Sequence, residues 1–135
     1  MAPKKNNNEE SIAQMHELND RSRMYNSQIW QVPFAYFGLT ILVISTIMNN
    51  ANTYIFVFSL ILEVFLGIAV IIHMFGLQDG INRAVNNIEK IESKIGLENT
   101  VKYSKQTWWP FLMMVIIVTA YFIFMSISFL TSIIS

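Results

Sequence analysis

The sequence predicts an all-α, polytopic membrane protein. It has three transmembrane helices, an N-terminal juxtamembrane helix, and a cytoplasmic amphipathic helix between spans two and three. Three observations carry this reading. Long apolar stretches occupy about 30–48, 54–77 and 108–134. At roughly 1.5 Å per helical residue, such stretches match a hydrocarbon layer of about 30 Å. The chain has 135 residues, 53% of them apolar, with a mean hydropathy of +0.43. So small a soluble domain cannot hide that much apolar surface in a core, whereas a bilayer lets it face lipid. Lastly, the net charge of zero conceals a segregation. Lys4, Lys5, Arg21 and Arg23 precede the first stretch, and Arg83, Lys90, Lys94, Lys102 and Lys105 lie between the second and third. The 49–53 connection and everything after Lys105 carry no charge. This is the positive-inside pattern, and it places the N-terminus in the cytoplasm and the C-terminus outside; the membrane expected is a bacterial or archaeal plasma membrane.

Residues 1–10 are polar and Asn-rich and read as a disordered tail. Ser11 to Gln14 has the form of a capping box, starting a juxtamembrane helix over 11–29. Met15, Leu18, Ser22, Tyr25 and Ile29 recur on one face of it. The membrane domain then covers 30–135. Span one opens with Trp30 as an interfacial anchor and Pro33 in its first turn, where a missing N–H does little harm. The five-residue turn 49–53 requires span two to pack antiparallel beside span one. Span two is rich in Phe, Ile, Val and Leu, and its length selects helix over strand. Gly76 and Gly80 punctuate its exit.

Residues 80–96 follow as an amphipathic helix. Ile81, Ala84, Val85, Ile88, Ile91 and Ile95 form its apolar face, opposite Arg83, Asn86, Asn87, Lys90 and Lys94. That face must be buried against the N-terminal helix, against its copy in an oligomer, or in the headgroup layer. It lacks the aromatics of a headgroup-lying helix, which favours protein contact, and the isoleucines with Val85 read as an assembly surface. After a linker over 97–107, Trp108, Trp109 and Pro110 open span three and repeat the device at Trp30 and Pro33.

Glu63 is the outstanding residue. It is the only carboxylate inside a span, it lies near the middle of span two, and no Lys or Arg occurs within any span. Such a residue is costly in the membrane and marks function by default. It can be protonated and hydrogen-bonded to a neighbouring helix, it can face water in a pore, or it can pair with a partner's cation. Ser59, Glu63 and Gly67 share one small, polar stripe, so that face meets protein rather than lipid. Gly38 with Ser45 in span one, and Thr119 with Ser126 in span three, are the corresponding small or polar pairs. His73 is about 15 Å along the helix from Glu63 and on another face, so the two form no catalytic pair.

There is no Cys, and two distant His do not build a metal site. No nucleophile–base constellation and no Gly-rich phosphate loop is present. The basic residues are matched by equal acid, which argues against nucleic-acid binding. The first apolar run begins far from Met1 and lacks a small-residue cleavage site, so a cleaved signal peptide is not expected. The expected function is therefore non-enzymatic and cofactor-free. It is a homo-oligomeric helical assembly, an ion-conducting pore or membrane effector centred on Glu63. The alternative is a non-conducting accessory or scaffold subunit. The expected partners are the lipid bilayer and either copies of the chain or another membrane protein.

Overall fold

The structure, a computed structural model, describes residues 4–49, 52–96 and 108–134. These form three helices: α1 (Lys4–Asn49), α2 (Thr53–Ile95) and α3 (Trp109–Ile134). All three are long and apolar enough to cross a membrane. Residues 50–51 of the expected turn, the 97–107 linker and residues 1–3 lie outside the described residues.

Two expectations are corrected. The juxtamembrane helix is not a separate element, and neither is the amphipathic helix; each is continuous with the span beside it. α1 starts at Lys4, ahead of the Ser11 box, and Pro33 lies inside it rather than in its first turn. A proline inside a helix removes one backbone hydrogen bond. In membrane helices neighbouring elements make good that loss. Gly76 and Gly80 likewise do not end α2. Each costs at most about 1 kcal/mol of helix propensity, too little to stop a helix already propagating on both sides. What ends α2 is Gly96, at φ +79°, a left-handed conformation suited to a residue without Cβ. At the other end the Tyr54 N–H donates to Asn52 Oδ1 at 2.9 Å, an N-cap.

The chain divides into two compact units. In the first, α1 up to Ile29 pairs with α2 from Gly76. Ser22 and Ile29 are buried on one helix, and Leu77, Ala84, Ile88 and Glu92 on the other. At Gly80 the Tyr25 ring comes so close that a Cβ would stand 3.1 Å from it. Arg21 pairs with Glu17 at 2.5 Å and Arg83 with Asp79 at 2.6 Å, both one helical turn apart and exposed. Pairs of this kind contribute little to stability.

In the second unit, α1 from Trp30, α2 up to Phe75 and α3 form a three-helix bundle. Its core follows the helical period: Pro33, Tyr36 and Thr40 from α1, Leu60, Glu63, Gly67 and Met74 from α2, and Trp108, Leu112, Val115, Thr119 and Phe122 from α3. Its outside is covered with large exposed apolar side chains, among them Phe34, Leu42, Phe58, Phe65, Ile72, Ile117 and Phe124. In water such a surface would drive aggregation, whereas acyl chains are its natural solvent.

Candidate functional site

The middle of the bundle is polar. α2 contributes Glu63 and, one turn to either side, Ser59 and Gly67. α1 contributes Tyr36 and Thr40, one turn apart, and α3 contributes Thr119. All six are buried, and Glu63 is 0% exposed. The helical period explains the convergence: each polar residue falls on the stripe that its helix turns inward.

Glu63 Oε1 is hydrogen-bonded to the Thr40 hydroxyl. Its Oε2 is buried without a hydrogen-bond partner among the described residues. Thr40 Oγ1 also lies 3.0 Å from the Tyr36 carbonyl oxygen. The Tyr36 hydroxyl lies 3.3 Å from Thr119 Oγ1, which donates to the Val115 carbonyl at 2.8 Å. Gly67 makes room for this arrangement. A Cβ there would overlap the Thr119 side chain and stand 2.9 Å from the Tyr36 hydroxyl. Magnitudes bear on the state of the acid. An ionised carboxylate at mid-span costs at least ~2.5 kcal/mol. One interhelical hydrogen bond returns on average ~0.6 kcal/mol, and ~1.7 kcal/mol at most. An acid and four hydroxyls can trade protons and hydrogen bonds, but they supply neither a nucleophile–base pair nor a metal-ligand set.

Ser59, Glu63 and Gly67 thus lie together on the inward face. In α3, Thr119 is inside, and Ser126 is half-buried with its hydroxyl donating to the Phe122 carbonyl at 2.8 Å. The inward face of α1 differs from the expected one. Gly38 and Ser45 are exposed, and Tyr36 and Thr40 point inward in their place. Pro33, Tyr36 and Thr40 fall on one helical stripe, but nothing in the sequence marks that stripe over the one through Gly38 and Ser45 as the inward face. His73 is exposed, away from the cluster.

Along the 80–96 segment, Ile88 is 1% exposed and Ala84 is buried, while Ile81, Val85, Ile91 and Ile95 are half-buried. Much of this stripe is therefore covered within the chain. Of the three tryptophans, Trp30 and Trp109 are exposed and Trp108 is 7% exposed. Trp30 meets Phe111 edge-on at 4.5 Å, Trp108 meets Phe75 at 5.6 Å, and Trp108 stacks on Trp109 at 4.8 Å. One end of the bundle is thus an aromatic collar with Trp108 as its inner member.

In comparisons with known proteins, the chain matches no family model, no curated protein and no solved structure.

Proposed function

We propose that this chain is a non-enzymatic, non-conducting membrane subunit: a three-helix module that acts by associating with a membrane partner or with its own copies. One observation carries the reading. Glu63 is buried inside a single chain, hydrogen-bonded to Thr40, beside a glycine whose missing side chain is already replaced by Thr119 and Tyr36. An acid placed to line a pore between subunits would sit on the outer face of the bundle. Here it locks one helix to another. The half-buried residues of the assembly stripe, Ile81, Val85, Ile91 and Ile95, remain as apolar surface for association. The charge pattern supports an N-in, C-out orientation in the plasma membrane.

The second reading is a homo-oligomeric, ion-conducting effector. The bare, buried Oε2 of Glu63 favours it, because a passing cation or water could complete that oxygen. Ion flux into liposomes, combined with particle size in mild detergent, discriminates the two. The subunit reading expects no flux from wild type, no change with Glu63→Gln, and a defined complex in detergent. Flux that Glu63→Gln abolishes would overturn it in favour of the conducting assembly.

A further inference from the structure

Four hydrogen-bond contacts in the polar cluster involve only three hydroxyls, those of Tyr36, Thr40 and Thr119, and so only three hydroxyl protons. The contacts are Thr119 with the Val115 carbonyl, Tyr36 with Thr119, Thr40 with the Tyr36 carbonyl, and Thr40 with Glu63. Carbonyl oxygens only accept, so the Thr119 proton goes to Val115. Tyr36 must then donate to Thr119. Thr40 has one proton for two acceptors, and the Tyr36 carbonyl, 3.0 Å away, is the one that can never supply a proton itself. The contact between Thr40 and Glu63 is left without a proton unless the carboxyl supplies one.

We infer that Glu63 is held as the neutral acid, its Oε1 donating to Thr40 Oγ1, and that this proton is what keeps the three helices closed on one another. The inference concerns the proton alone and holds whether or not the chain conducts. The competing arrangement turns the Thr40 proton toward an ionised Glu63. That carboxylate would then have one donor, a bare Oε2 and no cation, since the chain has no Lys or Arg from Met24 to Asn82 or after Lys105. A buried carboxylate needs several donors or a counter-charge, whereas a neutral acid needs one acceptor, and Thr40 provides it.

A regulatory consequence follows. When the proton leaves, Thr40 can turn its own proton to the carboxylate, and the next inward hydroxyl on α1 able to add a second donor is that of Tyr36. It stands over Gly67, one helical turn from Glu63, and is tied to Thr119 only by a long, 3.3 Å contact. Turning to the carboxylate releases Thr119 and with it the polar tie between α1 and α3. Among the described residues, Tyr36 is the titratable group that faces Glu63 from α1. α3 presents Thr119, which does not titrate, and its Tyr121 is exposed. On α2 itself, His73 is exposed and ten residues away.

Infrared difference spectroscopy of the full chain in lipid vesicles tests this. At neutral pH, wild type minus Glu63→Gln should show a protonated carboxylic C=O band. Thr40→Val should shift that band to higher frequency, and Thr40→Ser should return it. Raising the pH should remove the band together with a change in the tyrosine ring modes, a change that Tyr36→Phe abolishes. The Thr40 series leaves the acid untouched, so it reads the same band even if Glu63→Gln fails to insert. A carboxylate band in place of the acid band would overturn the inference, and so would an acid band indifferent to Thr40→Val. Neither result bears on flux or complex size.

Discussion

A single hydrogen atom at Gly67 is what lets Thr119 and Tyr36 meet in the middle of the bundle. Gly67→Ala should therefore lower unfolding free energy by about 1–3 kcal/mol, the usual cost of overpacking. Adding Thr119→Ala should recover much of that loss, because it removes the two nearest atoms the new methyl meets and leaves only the Tyr36 hydroxyl, at 2.9 Å. Denaturant titration of the purified protein in mild detergent would measure the coupling, and additivity of the two changes would refute the contact. At Glu63, Gln keeps a donor for Thr40 and should stay within about 0.5 kcal/mol of wild type, while Leu leaves Thr40 without its partner and should lose roughly 0.6–1.7 kcal/mol. Glu63, Ser59 and Gly67 were legible in the sequence because one acid in an apolar span draws attention to its stripe. Tyr36 and Thr40 were not. Small size pointed to Gly38 and Ser45, and which face of α1 turns inward depends on the neighbours it packs against.

At the scale of the element, the helices run further than their sequence signals suggest. A capping box at Ser11, a proline at 33 and glycines at 76 and 80 all resemble boundaries, yet α1 and α2 pass through every one of them. Boundary signals are worth about 1–3 kcal/mol each, and tertiary packing on both sides outweighs them. The packing of the 80–95 stripe is graded, and substitution should reveal the gradient. Ile88→Ala removes a fully buried side chain and should cost about 2–5 kcal/mol, whereas Ile91→Ala, at a half-buried position, should cost less. Hydrogen exchange over 11–29 and 80–95 would show it as lost protection in the first variant and near-native protection in the second. If Ile91→Ala instead dissociates a complex without altering exchange in the isolated chain, the half-buried edge is an assembly surface.

For the whole molecule, the exposed Phe, Ile and Leu side chains and the absence of charge from most of their length make the three helices membrane elements. Orientation is open to a direct experiment, because the chain contains no Cys to give background labelling. Cysteine introduced at Ser135 should react with an impermeant thiol reagent in intact cells, and cysteine at Asn99 should react only after lysis. The opposite pattern would reverse the topology.

By itself, the sequence determined the class of this protein. Helical spans, their number and the asymmetry of charge follow from the solvation of side chains one at a time, and solvation is additive along a chain. The tertiary structure decided the rest: which stripe of α1 turns inward, that Trp108 is buried while Trp30 and Trp109 are exposed, and that Glu63 meets Thr40 inside one chain. Those are properties of pairs of residues on different helices, such as Thr119 seated over Gly67, 52 positions away. A stripe of small or polar residues shows that a helix face seeks protein, but only packing names the residue that answers it.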